Sequence, residues 1–589
     1  MIPLPHLAPA RTRGTKHAPV IARQRACTDS TGLNTVASAA ARLPAPRVTL
    51  LRSSTVEKVD SVHCSGFGAG KPLAGPRSPV EGWWRMRDTA WAGSEFRTAS
   101  GPVRGRPPVD GVVAVLGVPY AAPPFGPRRF REPQPVRGWS GPRDCTAFGP
   151  VAPQSAELPG SPGWREGDED VLTLNVWVRR RPDGGPLPVL FWIHGGAYTF
   201  GSSAQPDFDG TALARAGVVV VSCNYRVGFE GFGHVPGFPD NRGLLDQAAA
   251  LRWVRENIAA FGGDPGNVTV AGHSAGAGSA ACLMVMEQAR GLFRRAVAHS
   301  VPHGFFTVEV AAAASSRIAA EAGVAPTGDG LLSASPRELV AASDKVAEQC
   351  AEDPVVAIQA FDPVLFQPVV GGEVLPVDPL SAAAAGVSRD VDLLVCHTLE
   401  EYWFLHEVGG VREVSSEEEL ADFTRSLGVP ARLADGYRAL LPGTPVLDRY
   451  LALFGDAVFG EYGSRFAECH ARAGGRAYLS RFARGRVAPG REARPWHTAD
   501  VPFAFGNLDA EGAAFLIGGA PDEQDRALSR RMLRAWADFA ACGDPGWPPV
   551  TADATPVKVW AVPDDHLADD AVSDVRALWR GVPFDLLRL

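Results

Sequence analysis

The stretch "NVTVAGHSAGAGSAA", Asn267–Ala281, decides the fold. A short apolar run, Asn267–Ala271, leads into G-x-S-x-G as Gly272, Ser274 and Gly276, and a series of small residues follows. This order predicts a strand, a sharp turn and a helix, with the serine raised at the turn. Glycines two before and two after the serine let neighbouring backbone pass close, with no Cβ in the way. The helix N-terminus favours negative charge developing nearby. The five-residue pattern alone is a weak signal in a Gly-rich chain; the strand before it and the helix after it make it specific.

Upstream, "VLFWIHGGAYTFG", Val189–Gly201, ends an apolar run in His194-Gly195-Gly196-Ala197. A Gly-rich loop directly after a strand can aim backbone N–H groups at an oxyanion. A serine nucleophile also needs a base, and the base an orienting carboxylate. On α/β-hydrolases these follow in the order Ser, acid, His. Downstream, "VDLLVCHTLEEYWFL", Val391–Leu405, closes an apolar run with two adjacent acids, Glu400 and Glu401, crowded against aromatics. Either fits the acid's place. His497, in "ARPWHTADVPFAFGN", is the base candidate, although position alone does not single it out among 13 histidines.

Short apolar strands alternate with helical segments from about residue 95. Val189–Ile193, Val218–Cys223 and Asn267–Ala271 read as buried strands, with "AVAHS", "VDLLVC" and "RAYLSRF" later. Asp246–Phe261 has helical spacing and stops at Gly262-Gly263. Strands separated by helices predict a large, mostly parallel sheet with both faces covered. Residues 305–390 and 405–475 read as helical insertions over a cleft, with a helix start at Ser416 and Glu419.

The 589 residues are 45% apolar and 21% charged, ordinary for a globular protein. The net charge of −7 and the lack of a long basic stripe speak against a nucleic-acid partner. Nine cysteines without CxxC or zinc spacing predict free thiols, a reducing compartment and a cytoplasmic location. No apolar run approaches the roughly 18 residues of a membrane helix. Arginine-skewed, Ala-, Gly- and Pro-rich composition reads as GC-rich bacterial coding. Residues 1–93 lack sustained apolar periodicity and are expected to be a disordered extension, or a start placed too early, with Met86 as the alternative start. A single folded domain is expected over 94–589.

These segments together resemble the type-B carboxylesterases, which include cholinesterases and bacterial para-nitrobenzyl esterases. The resemblance runs from "ASGPVRG" (Ala99–Gly105) and "LGVPYAAPPFGPRRFREPQPVRGWSG" (Leu116–Gly141) through "EDVLTLNVW", "WIHGGAY", "NYRVGFEGF" and the serine segment to "HTADVPFAFGN" and "FAACGDP". It implies an α/β-hydrolase fold, with Ser274 as nucleophile and His497 as base. It lays Glu401 on the catalytic acid's place and Glu400 on its neighbour's. It puts the oxyanion donors on the N–H groups of Gly196, Ala197 and Ala275. It also implies a buried ion pair between Arg129 and Glu169, and a supporting role for Ser300 near the histidine.

Four positions depart from the family pattern. Val171 stands where secreted relatives carry a disulfide cysteine, in keeping with a reducing compartment. Ala197 replaces a third glycine found in many relatives, and its methyl would narrow the substrate space. Cys396 and His397 replace a Gly-Thr-like pair before the acid, which puts the local turn in question.

The implied activity is hydrolysis of small-molecule carboxylic esters through an acyl-enzyme. No metal or cofactor is called for, and a monomer is expected. Carbamate, amide or lactone hydrolysis on the same fold is an alternative, as is a non-catalytic cholinesterase-like binding protein.

Overall fold

In the computed structural model, residues 93–156, 162–179, 184–488 and 491–589 are described. The expectations for residues 1–92, including a start at Met86, lie outside them.

A ten-stranded sheet organises the chain. In sequence its strands are β1 (Val112–Pro119), β2 (Thr173–Arg179), β3 (Leu187–Ile193), β4 (Val219–Cys223) and β5 (Gly263–His273), then β6 (Arg295–His299), β7 (Asp392–Thr398), β8 (Ala477–Phe482), β9 (Pro556–Trp560) and β10 (His566–Asp569). In space they run β10-β9-β8-β7-β6-β5-β3-β4-β2-β1. From β9 across to β4 neighbouring strands are parallel, and antiparallel pairing is confined to the two edges.

The central strands read as unbroken apolar runs because both faces are buried. Successive side chains go to opposite sides. Val189, Phe191 and Ile193 of β3 enter one core, and Leu190 and Trp192 enter the other. Val270 of β5 and Val395 of β7 join the first, Ala271 and Leu394 the second. Pro188 sits within β3, where the register with β5 shifts between Leu187 and Val189. An irregular ladder tolerates the missing N–H.

Helix α1 spans Arg242–Asn257, and a 3₁₀ turn over Ile258–Phe261 ends at Gly262 with φ of +80°. It starts four residues earlier than its spacing predicts. The reason is tertiary. Asn241 adopts φ of +58° with its amide bonded to the Val369 backbone, and the Arg242 guanidinium donates to the carbonyls of Phe229, Glu230, Gly233 and Pro239.

The two insertions are mainly helical, from Val308–Glu321 to Pro379–Ala384 and from Glu417–Ser426 to Glu461–Arg472. Ser416 and Glu419 form the predicted capping box. Strand β7 continues through Cys396 and His397 to Thr398, so those residues interrupt nothing.

One expectation is corrected. Arg129 is buried, but its partner is Glu230, at 2.6 Å, and Glu169 is exposed. Glu230 lies in the short helix Gly228–Phe232, packed beneath the guanidinium. Glu169 lies instead in a surface loop just before β2.

Candidate active site

Ser274 stands between β5 and helix α2 (Ala275–Leu283), with φ of +56° and ψ of −125°. That conformation is costly for a residue with a Cβ, and it persists only where the surroundings enforce it. They do so here. The Ser274 N–H donates to the His299 carbonyl at 2.9 Å. A Cβ on Gly272 would lie 2.3 Å from the Gly276 carbonyl carbon, and one on Gly276 would lie 2.1 Å from the Ile193 oxygen. Both contacts are impossible, so the two glycines are what allow the serine to be lifted. One turn into α2, Gly278 admits the Tyr198 hydroxyl, which would sit 2.4 Å from a Cβ there.

The loop after β3 lies beside this turn. Gly196, Ala197 and Tyr198 all have positive φ, at 116°, 49° and 58°. Neither the Gly196 nor the Ala197 N–H donates to any acceptor among the described residues. Ala275 is the first residue of α2, where the N–H has no partner in the helix ladder. A Cβ on Gly195 would approach Ser274 Cβ to 3.1 Å, which places this loop against the serine. His194 anchors the loop. Its ring stacks on Tyr225 at 4.4 Å, its carbonyl accepts the Tyr225 hydroxyl at 2.8 Å, and burial pushes its imidazole down to about 4.

Glu401 and His497 meet although 96 residues separate them. Glu401 opens helix α3 (Glu401–Glu407) just beyond β7 and is buried. Its Oε2 lies 2.5 Å from His497 Nδ1, and its Oε1 accepts the Ser300 hydroxyl and the Thr398 N–H, both at 2.7 Å. These three contacts, shared over both oxygens, fix the orientation of the carboxylate. Glu400 turns the other way and ion-pairs with Arg494 at 3.0 Å.

The His497 ring lies 4.4 Å from that of His273, the residue before Ser274, and 4.6 Å from Phe459. Phe459 belongs to a π-helical turn, Asp456–Gly460, that swings it inward. Phe404 and Phe515 extend the aromatic wall outward, and Phe515 is 37% exposed.

Several neighbours were not singled out from the sequence. Asp500, three residues after His497, is fully buried and bonded to His299. His299, Cys396 and Asp500 bring a nitrogen, a sulfur and a carboxylate oxygen within 4.8 Å of one another, and all three are tied into hydrogen bonds here. The available signals were the position of Asp500 within "HTADVP" and the polar residue ending "AVAHS".

A strained serine at a strand–helix turn, a loop of free N–H groups and a carboxylate-bound imidazole define a serine hydrolase of the α/β-hydrolase fold. The carboxylesterase family model matches residues 93–560. The para-nitrobenzyl esterase of Bacillus subtilis (strain 168) is 36% identical over 468 residues, covering 77% of this chain and 91% of that protein. The phenmedipham hydrolase of Pseudarthrobacter oxydans is 34% identical, covering 76% and 92%. Among solved structures, a Geobacillus stearothermophilus carboxylesterase superposes with a TM-score of 0.71 at 35% identity, covering 83% of this chain and all of that one. The chain belongs to the carboxylesterase family. It is a serine hydrolase that cleaves carboxylic esters.

Proposed function

We propose that Ser274, Glu401 and His497 form the catalytic triad, and that the N–H groups of Gly196, Ala197 and Ala275 form the oxyanion hole. His497 takes the Ser274 proton as Oγ attacks the ester carbonyl. The three N–H groups hold the tetrahedral oxyanion, each such donor contributing about 3–4 kcal/mol in comparable sites. His497 then protonates the departing alcohol, and an acyl-enzyme remains. Water, activated by the same imidazole, releases the acid. Glu401 fixes the tautomer with its proton on Nδ1 and stabilises the imidazolium. The observation that carries this reading is the 2.5 Å contact between Glu401 and His497 beside the Ser274 turn.

The aromatic wall of Phe404, Phe459 and Phe515 beside His497 favours aryl and benzyl esters. The same machinery serves carbamates, amides or lactones, and a panel of p-nitrophenyl, benzyl and alkyl substrates ranks these. We also place the enzyme in the bacterial cytoplasm as a monomer acting without metal or cofactor. Support for that location comes from the cysteines, none of which forms a disulfide among the described residues. No helix among the described residues is long and apolar enough to cross a membrane.

A fluorophosphonate probe tests the nucleophile. It should label Ser274 alone, and Ser274→Ala should abolish labelling and lower kcat by roughly 10⁴-fold. Labelling at another residue, or an active Ser274→Ala enzyme, overturns the assignment.

A further inference from the structure

The loop after β3 holds a conformation that its own residues disfavour. Ala197 and Tyr198 both sit at positive φ, 49° and 58°. Residues with a Cβ enter that region only where their surroundings impose it. Backbone bonds supply part of the constraint. The Thr199 and Phe200 N–H groups both donate to the Gly196 carbonyl, at 2.9 and 3.1 Å, and fold the loop back on itself. The Tyr198 carbonyl accepts the Gly228 N–H at 2.7 Å, from the first residue of the short helix Gly228–Phe232.

The Tyr198 side chain supplies the rest. It is 1% exposed, and its ring lies 4.7 Å from that of Phe232 on the same short helix. Its hydroxyl end reaches α2 at Gly278, where a Cβ would overlap the phenol oxygen and lie 3.2 Å from the Pro302 ring. Gly278 is inside a helix, where glycine is less stable than alanine. Its φ is not positive, so backbone conformation does not call for glycine there. The phenol beside it supplies the reason. Ser279, the next residue of α2, is a polar neighbour of the hydroxyl. Tyr198 thus joins the loop carrying the Gly196 and Ala197 N–H groups to the helix that begins at Ala275, directly after Ser274.

We propose that Tyr198 and Gly278 are a matched pair that sets the oxyanion hole: the phenol, seated in the notch at Gly278, holds Ala197 in its left-handed turn and keeps the loop's N–H groups aligned with that of Ala275. Tyr198 is then a positioning residue, acting through the backbone of its neighbours, and the inference rests on those three N–H groups being the oxyanion donors. The phenol cannot swing clear of an added methyl, because its ring is buried against Phe232. Any displacement passes along the side chain into the Ala197–Tyr198 peptide. Misaimed donors weaken the transition state more than bound substrate, since the full oxyanion charge exists only there.

The test is a compensation experiment on the whole enzyme. Gly278→Ala puts a methyl where the phenol oxygen sits. Its kcat should fall on the order of 10²-fold, the loss expected for one oxyanion donor, with KM within about twofold. Tyr198→Phe removes the oxygen and keeps the ring, so its loss should be under about fivefold. In Tyr198→Phe/Gly278→Ala the methyl replaces the oxygen, and kcat should return to within about fivefold of Tyr198→Phe. A trifluoromethyl ketone reads the hole directly. Ser274 Oγ adds to its carbonyl carbon, the C=O π pair becomes the oxyanion, and the serine proton passes to His497. Its Ki should rise in step with the fall in kcat across the variants. If Gly278→Ala does not fold, Tyr198→Leu, too short to fill the notch, decides by the same parallel loss. An unchanged kcat, a double variant no better than Gly278→Ala, or a fall in kcat without a matching rise in Ki overturns the proposal. A purely structural role gives no such rescue. Unaltered enzyme that binds the trifluoromethyl ketone no tighter than the matching methyl ketone removes the oxyanion reading, and this inference with it. Tight binding by the unaltered enzyme and by every variant removes this inference alone.

Discussion

Glu401 Oε2 and His497 Nδ1 lie 2.5 Å apart, both side chains buried, while the preceding Glu400 reaches Arg494 instead. This contact distinguishes two adjacent acids that the local sequence leaves equivalent. Glu401→Gln should lower kcat by about 10³-fold or more, by presenting an amide N–H where the imidazole needs an acceptor. Glu400→Gln should stay within about twofold, since it disturbs only a partly exposed pair. Steady-state kinetics on the two variants checks this, and the reverse ranking would falsify the assignment.

Ser300 donates its hydroxyl to the other oxygen of Glu401 at 2.7 Å. Hydrogen bonds to charged groups contribute about 1.5–3 kcal/mol. Ser300→Ala should therefore lower kcat by roughly 10-fold with little change in KM, while Ser300→Thr should retain much of the activity. A loss seen in KM alone would separate Ser300 from the acid.

Acid should destabilise the fold in a defined window. Burial pushes the imidazoles of His194 and His397 each down to about 4 from an ordinary value of 6.5. For depressed groups the unfolded chain binds protons first as pH falls. Their stability contribution is complete above about 6.5 and drains away as pH falls toward 4. By the size of the shifts each accounts for on the order of 3 kcal/mol. Urea midpoints measured from pH 8 to pH 4 should decline mainly between 6.5 and 4. A flat profile there would contradict the buried, neutral state of these rings.

Arg129 and Glu230 form a buried pair, and Arg129 also donates to the Ala334 carbonyl. Removing one partner strands the other, at about 3–5 kcal/mol. Glu230→Gln should lower the urea midpoint markedly, and Glu169→Gln should leave it within error. Equal effects from the two would restore the pairing expected from the family.

Much of this molecule is legible in the chain. The apolar runs that became β3, β4, β5 and β7 are readable because each is buried on both faces, and the G-x-S-x-G turn because its glycines answer a purely local crowding. Helix boundaries are less so. The early start of α1 depends on Arg242 finding four carbonyls in another segment, which no periodicity encodes.

The sequence by itself determined the strand–turn–helix around Ser274 and the alternation of strands and helices, because these follow from steric and hydrophobic patterns within a few residues. Only the tertiary structure decided which acid faces His497, which carboxylate holds Arg129, and that Asp500, His299 and Trp536 form a buried chain behind the site. Those choices join residues between 96 and 237 positions apart, across strands whose spatial order differs from their order in the sequence. Their physical basis is the direction of each side chain at a strand or helix end, set by how neighbouring elements pack.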